Sequence, residues 1–166
     1  MESIVIWFTE TLGQHISAEA VVFIISLMPI LELRGGLLAG TLLKVPEAVA
    51  IPVSILGNII PIPFILLFIK QIFKWMKKFK CFRGLIEKLE KRAMGKSDKI
   101  RKYEFVGLML FVGIPLPGTG AWTGALIASL LGIDIKKSSL AILCGIAMAT
   151  VIMYIISYGI LGHMVA

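Results

Sequence analysis

Two stretches of the chain break long apolar runs with prolines and glycines where a membrane helix would run smooth. MPILELRGGLLAG covers Met28 to Gly40, and IPLPGTGAWTGALIA covers Ile114 to Ala128. Laying Pro29 over Pro115 sets Glu32, Arg34, Gly35 and Gly36 over Gly118, Gly120, Ala121 and Trp122. Leu38-Ala39 then falls over Gly124-Ala125, so the small residues correspond to within a position. Each break leads into one long apolar span, and a basic stretch separates the two halves. The pattern reads as an internal duplication.

From Ser17 to Leu43 the apolar run is interrupted at Pro29 and at Gly35-Gly36. The leg before the break has about 14 residues, or roughly 21 Å at 1.5 Å per residue. The leg after it is shorter, and a crossing helix needs about 20 residues. A hairpin that enters and leaves on one side fits both lengths; a single kinked helix crossing once is the alternative. Irregular backbone persists at membrane depth only inside protein or beside a wet cavity. Pro46 and Glu47 suit a helix start. Residues 48–73 then give a full span, bent or unwound at Gly57-Asn58 and Pro61-Ile-Pro63. Residues 105–132 repeat the broken hairpin, and Leu140 to Leu161 form the last span.

The flanks differ in character. Ile4, Val5, Phe8 and Leu12 share one helical face, which predicts an interfacial helix over residues 1–16. Ile72, Met76, Phe79, Phe82, Ile86, Leu89 and Ala93 recur at three- and four-residue spacing among lysines and arginines. That predicts an amphipathic helix over residues 76–102 whose basic face meets anionic lipid, each cation adding about 1 kcal/mol. One membrane domain then covers residues 1–166, with repeat 1 at 17–75 and repeat 2 at 103–166.

Composition agrees: 58% of residues are hydrophobic and 16% charged, against about 25% charged in soluble domains. The net charge of +7 is concentrated, with thirteen of seventeen basic residues between Lys70 and Lys102. Such a distribution reads as the positive-inside signature, with the linker cytoplasmic, rather than as a nucleic-acid surface. It also tests the hairpins. With hairpins, Lys136-Lys137 returns to the linker's side and both termini lie outside; with four plain spans it would face outward. The expected fold is all-α and integral to the cytoplasmic membrane. It has two inverted repeats, each a re-entrant helical hairpin followed by a transmembrane helix, joined by the basic amphipathic helix.

Inverted repeats with broken helices place a site near the bilayer midplane, where helix N-termini suit an anion. The legs beginning at Gly35-Gly36 and near Thr119-Gly120 offer such N–H groups, with Thr119 as a cap. Glu32 and Arg34 stand out, because a charge at depth costs about 2.5–3.5 kcal/mol. Glu32 can be a protonatable coupling group or cation ligand, and Arg34 an anchor for a phosphate. Alternatively they neutralise one another, or Glu104, and hold the hairpins together. Asn58, Trp122, Thr119 and Thr123 are further lining candidates. His15 and His163 sit near span ends and no GxSxG or HExxH occurs, so no enzyme is expected. Cys81 and Cys144 lie far apart, so neither a metal site nor a cofactor is expected.

At ELRGG (Glu32 to Gly36) and PLPGTGAWTG (Pro115 to Gly124) the chain resembles the small multidrug export protein family, within the DedA-like (VTT) superfamily. The resemblance runs from about Ser17 to Gly162. It implies two inverted re-entrant hairpins and transport of a small molecule or a lipid carrier of the undecaprenyl-phosphate type, with proton coupling. By position, Glu32 and Arg34 match the charged first tip and Pro117-Gly118 the Pro-Gly of the second. Many relatives place an acid after that Pro-Gly, where this chain has Thr119. The alternative reading is a membrane scaffold or assembly factor that uses the basic helix to hold anionic lipid or a partner. Association with further copies of the chain is compatible with either.

Overall fold

The computed structural model describes residues 16–76, 104–116 and 118–161, with Ile6, Trp7, Thr11, Lys78, Gly84, Glu87, Lys88 and Lys91 as isolated positions. Most of the expected interfacial helix (1–16) and basic helix (76–102), and Pro117, lie outside the described residues. The described elements are helical throughout. In the first half they are α1 (Ala18–Leu27), α2 (Glu32–Leu42), α3 (Glu47–Ile59) and α4 (Pro61–Met76). The second half has α5 (Glu104–Gly113), α6 (Ala121–Leu131) and α7 (Ile135–Tyr154), closed by a π-helical turn at Ile155–Leu161.

Local chemistry sets these bounds. Ser17 caps α1 by accepting the Ala20 N–H at 3.3 Å, and Asp134 caps α7 through the N–H groups of Lys136 and Lys137 at 3.0 and 3.1 Å. The last helix therefore starts five residues before the expected Leu140. Ile60 sits between α3 and α4, where Pro61 and Pro63 carry no N–H for a fourth-residue helix bond. Together α3 and α4 make a 29-residue apolar run, Glu47–Trp75, and the last helix a 26-residue run, Ile135–Ile160. At 1.5 Å per residue each exceeds the roughly 30 Å hydrocarbon core.

Glycine contacts fix how the legs lie. A Cβ on Gly36 would run into Ser26 Oγ, and one on Gly40 would come 3.7 Å from Val22. Partners that fall along α1 as α2 advances mean an antiparallel pair, not one kinked helix. Gly36 also faces Ser54 and Gly40 faces Ala50, at 2.8 and 2.9 Å from where a Cβ would stand, so α3 returns antiparallel to α2. In the second half, Gly145 meets Met109 and Val112 while Gly113 meets Met148, so α5 and α7 run parallel.

The halves correspond closely. Gly57 abuts the Phe23 carbonyl at 2.8 Å and Ser26 Cβ at 2.9 Å; Gly145 abuts the Met109 carbonyl at 2.8 Å and Val112 Cβ at 2.6 Å. Both return legs end in one motif. Lys44 and Val45 donate to Thr41 and Gly40 carbonyls, as Gly132 and Ile133 donate to Ser129 and Ala128. These matches correct the register read from the prolines: in the return legs Gly36 lies over Gly124 and Glu32 over Gly120. The second break is two residues longer than the first, so an ungapped overlay on the prolines slips past it.

The ends interlock. Tyr158, in the last helix's closing turn, donates its hydroxyl to the Val45 carbonyl at 3.0 Å, at the exit of α2. Gly132, at the exit of α6, lies by Lys70 Nζ near the end of the first long run. Lys137 approaches Glu104 at 3.9 Å on that same end. Leu33, Leu37, Leu108, Val112, Ala125, Ile127, Ile142 and Ile146 join both halves in one core.

Candidate functional site

The two breaks meet where the chain is least regular. Glu32 opens α2 with φ at +51°, a left-handed conformation that costs a residue with a side chain about 1–2 kcal/mol. The conformation sends its carboxylate across to the second half. Oε2 accepts the Ala121 N–H at 2.9 Å and Oε1 the Trp122 N–H at 3.1 Å. Those are orphan donors of the first turn of α6, and a carboxylate there also complements the helix dipole. Gly120 makes the approach possible. Its φ is +136°, and a Cβ there would collide with the Glu32 carboxylate.

Arg34 serves the opposite helix end. Nη1 donates to the Leu116 carbonyl at 2.8 Å. Nη2 donates toward the Ile114 carbonyl and Thr119 Oγ1, both at 3.1 Å, and the Val112 carbonyl at 3.3 Å. It thus binds carbonyls at and just beyond the C-terminus of α5, where a cation is favoured. One pair of charges from the first break satisfies both helix ends exposed by the second. Glu32 is 4% and Arg34 7% exposed. Of the readings open for the pair, bonding to Glu104 does not occur: Glu104 stands at the surface with Lys137.

Two expected roles change. Thr119 does not cap α6; its hydroxyl lies 2.8 Å from the Leu116 carbonyl and accepts the Leu116 N–H at 3.3 Å, tightening the turn that Arg34 grips. The cap comes from Glu32, which no local sequence pattern announces. Nor do Gly35 and Gly36 begin a helix. The helix starts a turn earlier, the Gly35 N–H bonds to the Leu31 carbonyl, and both glycines are close-approach surfaces against α1.

Gly118, at φ +73°, turns the chain into α6 on the exposed rim. Trp122 and Thr123 are half-buried on the first turn of α6, and the Trp122 Nε1 is buried without a hydrogen-bond partner among the described residues. Asn58 is buried on α3 with its Oδ1 also unpartnered. Since Gly36 faces Ser54, Asn58, one turn on, falls level with the Glu32 end of α2. Ser26 and Ser54 were not marked by the sequence; lone serines in apolar helices look like ordinary tolerated residues, and only the facing glycines single them out.

Residues 32–152 match the model of the family described as "Putative small multi-drug export protein", and the chain belongs to that family. The match starts at Glu32 and takes in Arg34, the second break, the whole of the first long apolar run and the second as far as residue 152. No curated protein and no solved structure matches the chain. Family and helices together make it a membrane protein, helical through its described elements.

Proposed function

We propose that this member of the small multi-drug export family is a cytoplasmic-membrane transporter with two oppositely oriented halves, whose gate is the contact between their hairpin tips. The positions of the ends support the inversion. Gly132 and Lys137 lie at the Lys70 end of the molecule and Val45 at the Tyr158 end. The positive-inside rule makes the Lys70 end cytoplasmic, with both hairpins re-entrant and both termini outside.

One observation carries the mechanism: the Glu32 carboxylate occupies the start of α6, a place suited to an anion, with Arg34 beside it. An anionic substrate takes the Ala121 and Trp122 N–H groups in its place, with Arg34 turning from the α5 carbonyls to the substrate's charge. Glu32 leaves protonated, so the exchange couples proton movement to substrate movement and parts the tips. Both Glu32 oxygens are engaged, which favours a phosphate-headed lipid carrier or another anion over a cationic drug. The resemblance of the two motifs to DedA-like proteins points the same way. Thr119, Gly120, Trp122 and Thr123 border the exchange, and Asn58 lies level with it. The basic linker adds attraction for anionic lipid.

The test is flux of a fluorescent short-chain polyprenyl phosphate in proteoliposomes, read by quenching from outside. The wild type speeds transbilayer movement with a pH dependence; Glu32→Gln abolishes that dependence, and Arg34→Ala abolishes movement. Movement no faster than in empty liposomes at any pH contradicts the transporter reading for this substrate class. A scaffold is the second reading, favoured by the saturation of both charges within the protein. It predicts function that survives Glu32→Gln and is lost with the linker charges.

A further inference from the structure

Beneath the tip contact lies a second polar site that the exchange at Glu32 does not use. Ser26 of α1 and Ser54 of α3 converge on the bare face of Gly36, where Ser54 Oγ lies 2.8 Å from the position of a Cβ. Asn58 follows Ser54 by one turn on the same buried face. Ser26 and Ser54 are 0% exposed and Asn58 3%. The Ser26 hydroxyl donates its hydrogen to the Val22 carbonyl at 2.7 Å, which leaves its lone pairs for the cluster. Ser54 Oγ and Asn58 Oδ1 have no hydrogen-bond partner among the described residues. Just beyond, Pro61 and Pro63 deny the Gly57 and Ile59 carbonyls their usual fourth-residue donors.

The fold does not require this polarity. At the corresponding places the second half has Val112, Ile142 and Ile146, all buried in the core. Leaving polar groups unpaired inside a membrane protein is costly, and two such groups, on Ser54 and Asn58, lie one turn apart ahead of the break at Ile60.

We propose that Ser26, Ser54 and Asn58 form a binding site for a small monovalent cation of sodium's size. Neutral hydroxyl and amide oxygens suit a hard, singly charged ion, whereas a divalent ion of this kind calls for carboxylates. Broken membrane helices hold such ions through oxygens freed at the break. Gly36, which the site abuts, stands one turn from Glu32, so an ion here braces the turn of α2 that carries the tip. The site stands independently of what the protein moves.

Thermal unfolding of the purified full-length protein in detergent tests it, with sodium, potassium or choline chloride at one ionic strength. Direct binding of radioactive sodium is measured alongside. Sodium should raise the midpoint saturably over choline, as a ligand of the folded state does, and potassium should do so less. Ser54→Ala and Asn58→Ile should weaken sodium binding at least tenfold while their midpoints in choline stay at or above the wild type's. No sodium binding by the wild type, or equal binding by both variants, overturns the proposal and assigns the cluster to a buried water. These outcomes do not depend on polyprenyl phosphate flux, so either idea can fail alone.

Discussion

The two halves share one scaffold and fill it differently. In each, a first leg packs a carbonyl and a side chain against a glycine of the long helix: Phe23 and Ser26 on Gly57, Met109 and Val112 on Gly145. The glycines recur because the backbones approach too closely for a Cβ. The residues around them do not recur, with Ser26, Ser54 and Asn58 in one half and Val112, Ile142 and Ile146 in the other. The tips divide in the same way. Glu32 and Gly120 hold corresponding places in the two return legs and meet each other, one supplying the carboxylate and the other the room for it. Small residues preserve the architecture, and at these matched positions the polar side chains belong to the first half.

The sharpest way to break this complementarity is Gly120→Ala. It combines a disallowed φ with a methyl driven into the Glu32 carboxylate, and should cost about 4 kcal/mol. Thermal or denaturant unfolding in detergent reads that loss, and an unchanged midpoint would remove the tip contact as a structural element. Arg34→Ala comes next. It strips the α5 carbonyls of their cation and leaves Glu32 as an uncompensated buried charge, a loss of about 3 kcal/mol. Arg34→Lys should recover only part of this, because an ammonium cannot span the carbonyls that the guanidinium fork reaches.

Exchanging residues between halves sharpens the comparison. Ser26→Val installs the second half's residue against Gly36 and Gly57, where the helices are spaced for a hydroxyl, and should cost about 2 kcal/mol by overpacking. The smallest effect is a gain. Lys44 sits at φ +54° where the other return leg has Gly132 at +72°, so Lys44→Gly should stabilise by about 1 kcal/mol. Both shifts are readable in the unfolding midpoint.

Much of this order was visible in the sequence. The paired Pro/Gly breaks and the long runs after them marked the elements, because helix breakers and apolar length act locally. The conspicuous Glu32 and Arg34 were also legible, since charges within apolar runs demand partners. Their partners were not. Both side chains bind backbone groups of Ala121, Trp122, Ile114 and Leu116, and a backbone N–H or carbonyl has no sequence identity. The register of the return legs was likewise hidden, because two extra residues in the second break leave no mark in a proline-to-proline overlay. Ser26 and Ser54 became notable only when Gly36 brought two helices onto them.

The inversion of the halves is tested most directly by cysteine accessibility in intact cells. With Cys81 and Cys144 replaced, single cysteines go to the exposed positions Lys44 and Lys137, each at the exit of a return leg. Inverted halves predict labelling of Lys44→Cys by an impermeant reagent from outside, and of Lys137→Cys only after the membrane is opened. Labelling of both from outside is the result of four plain spans, and it would contradict the inverted hairpins and the gate built on them.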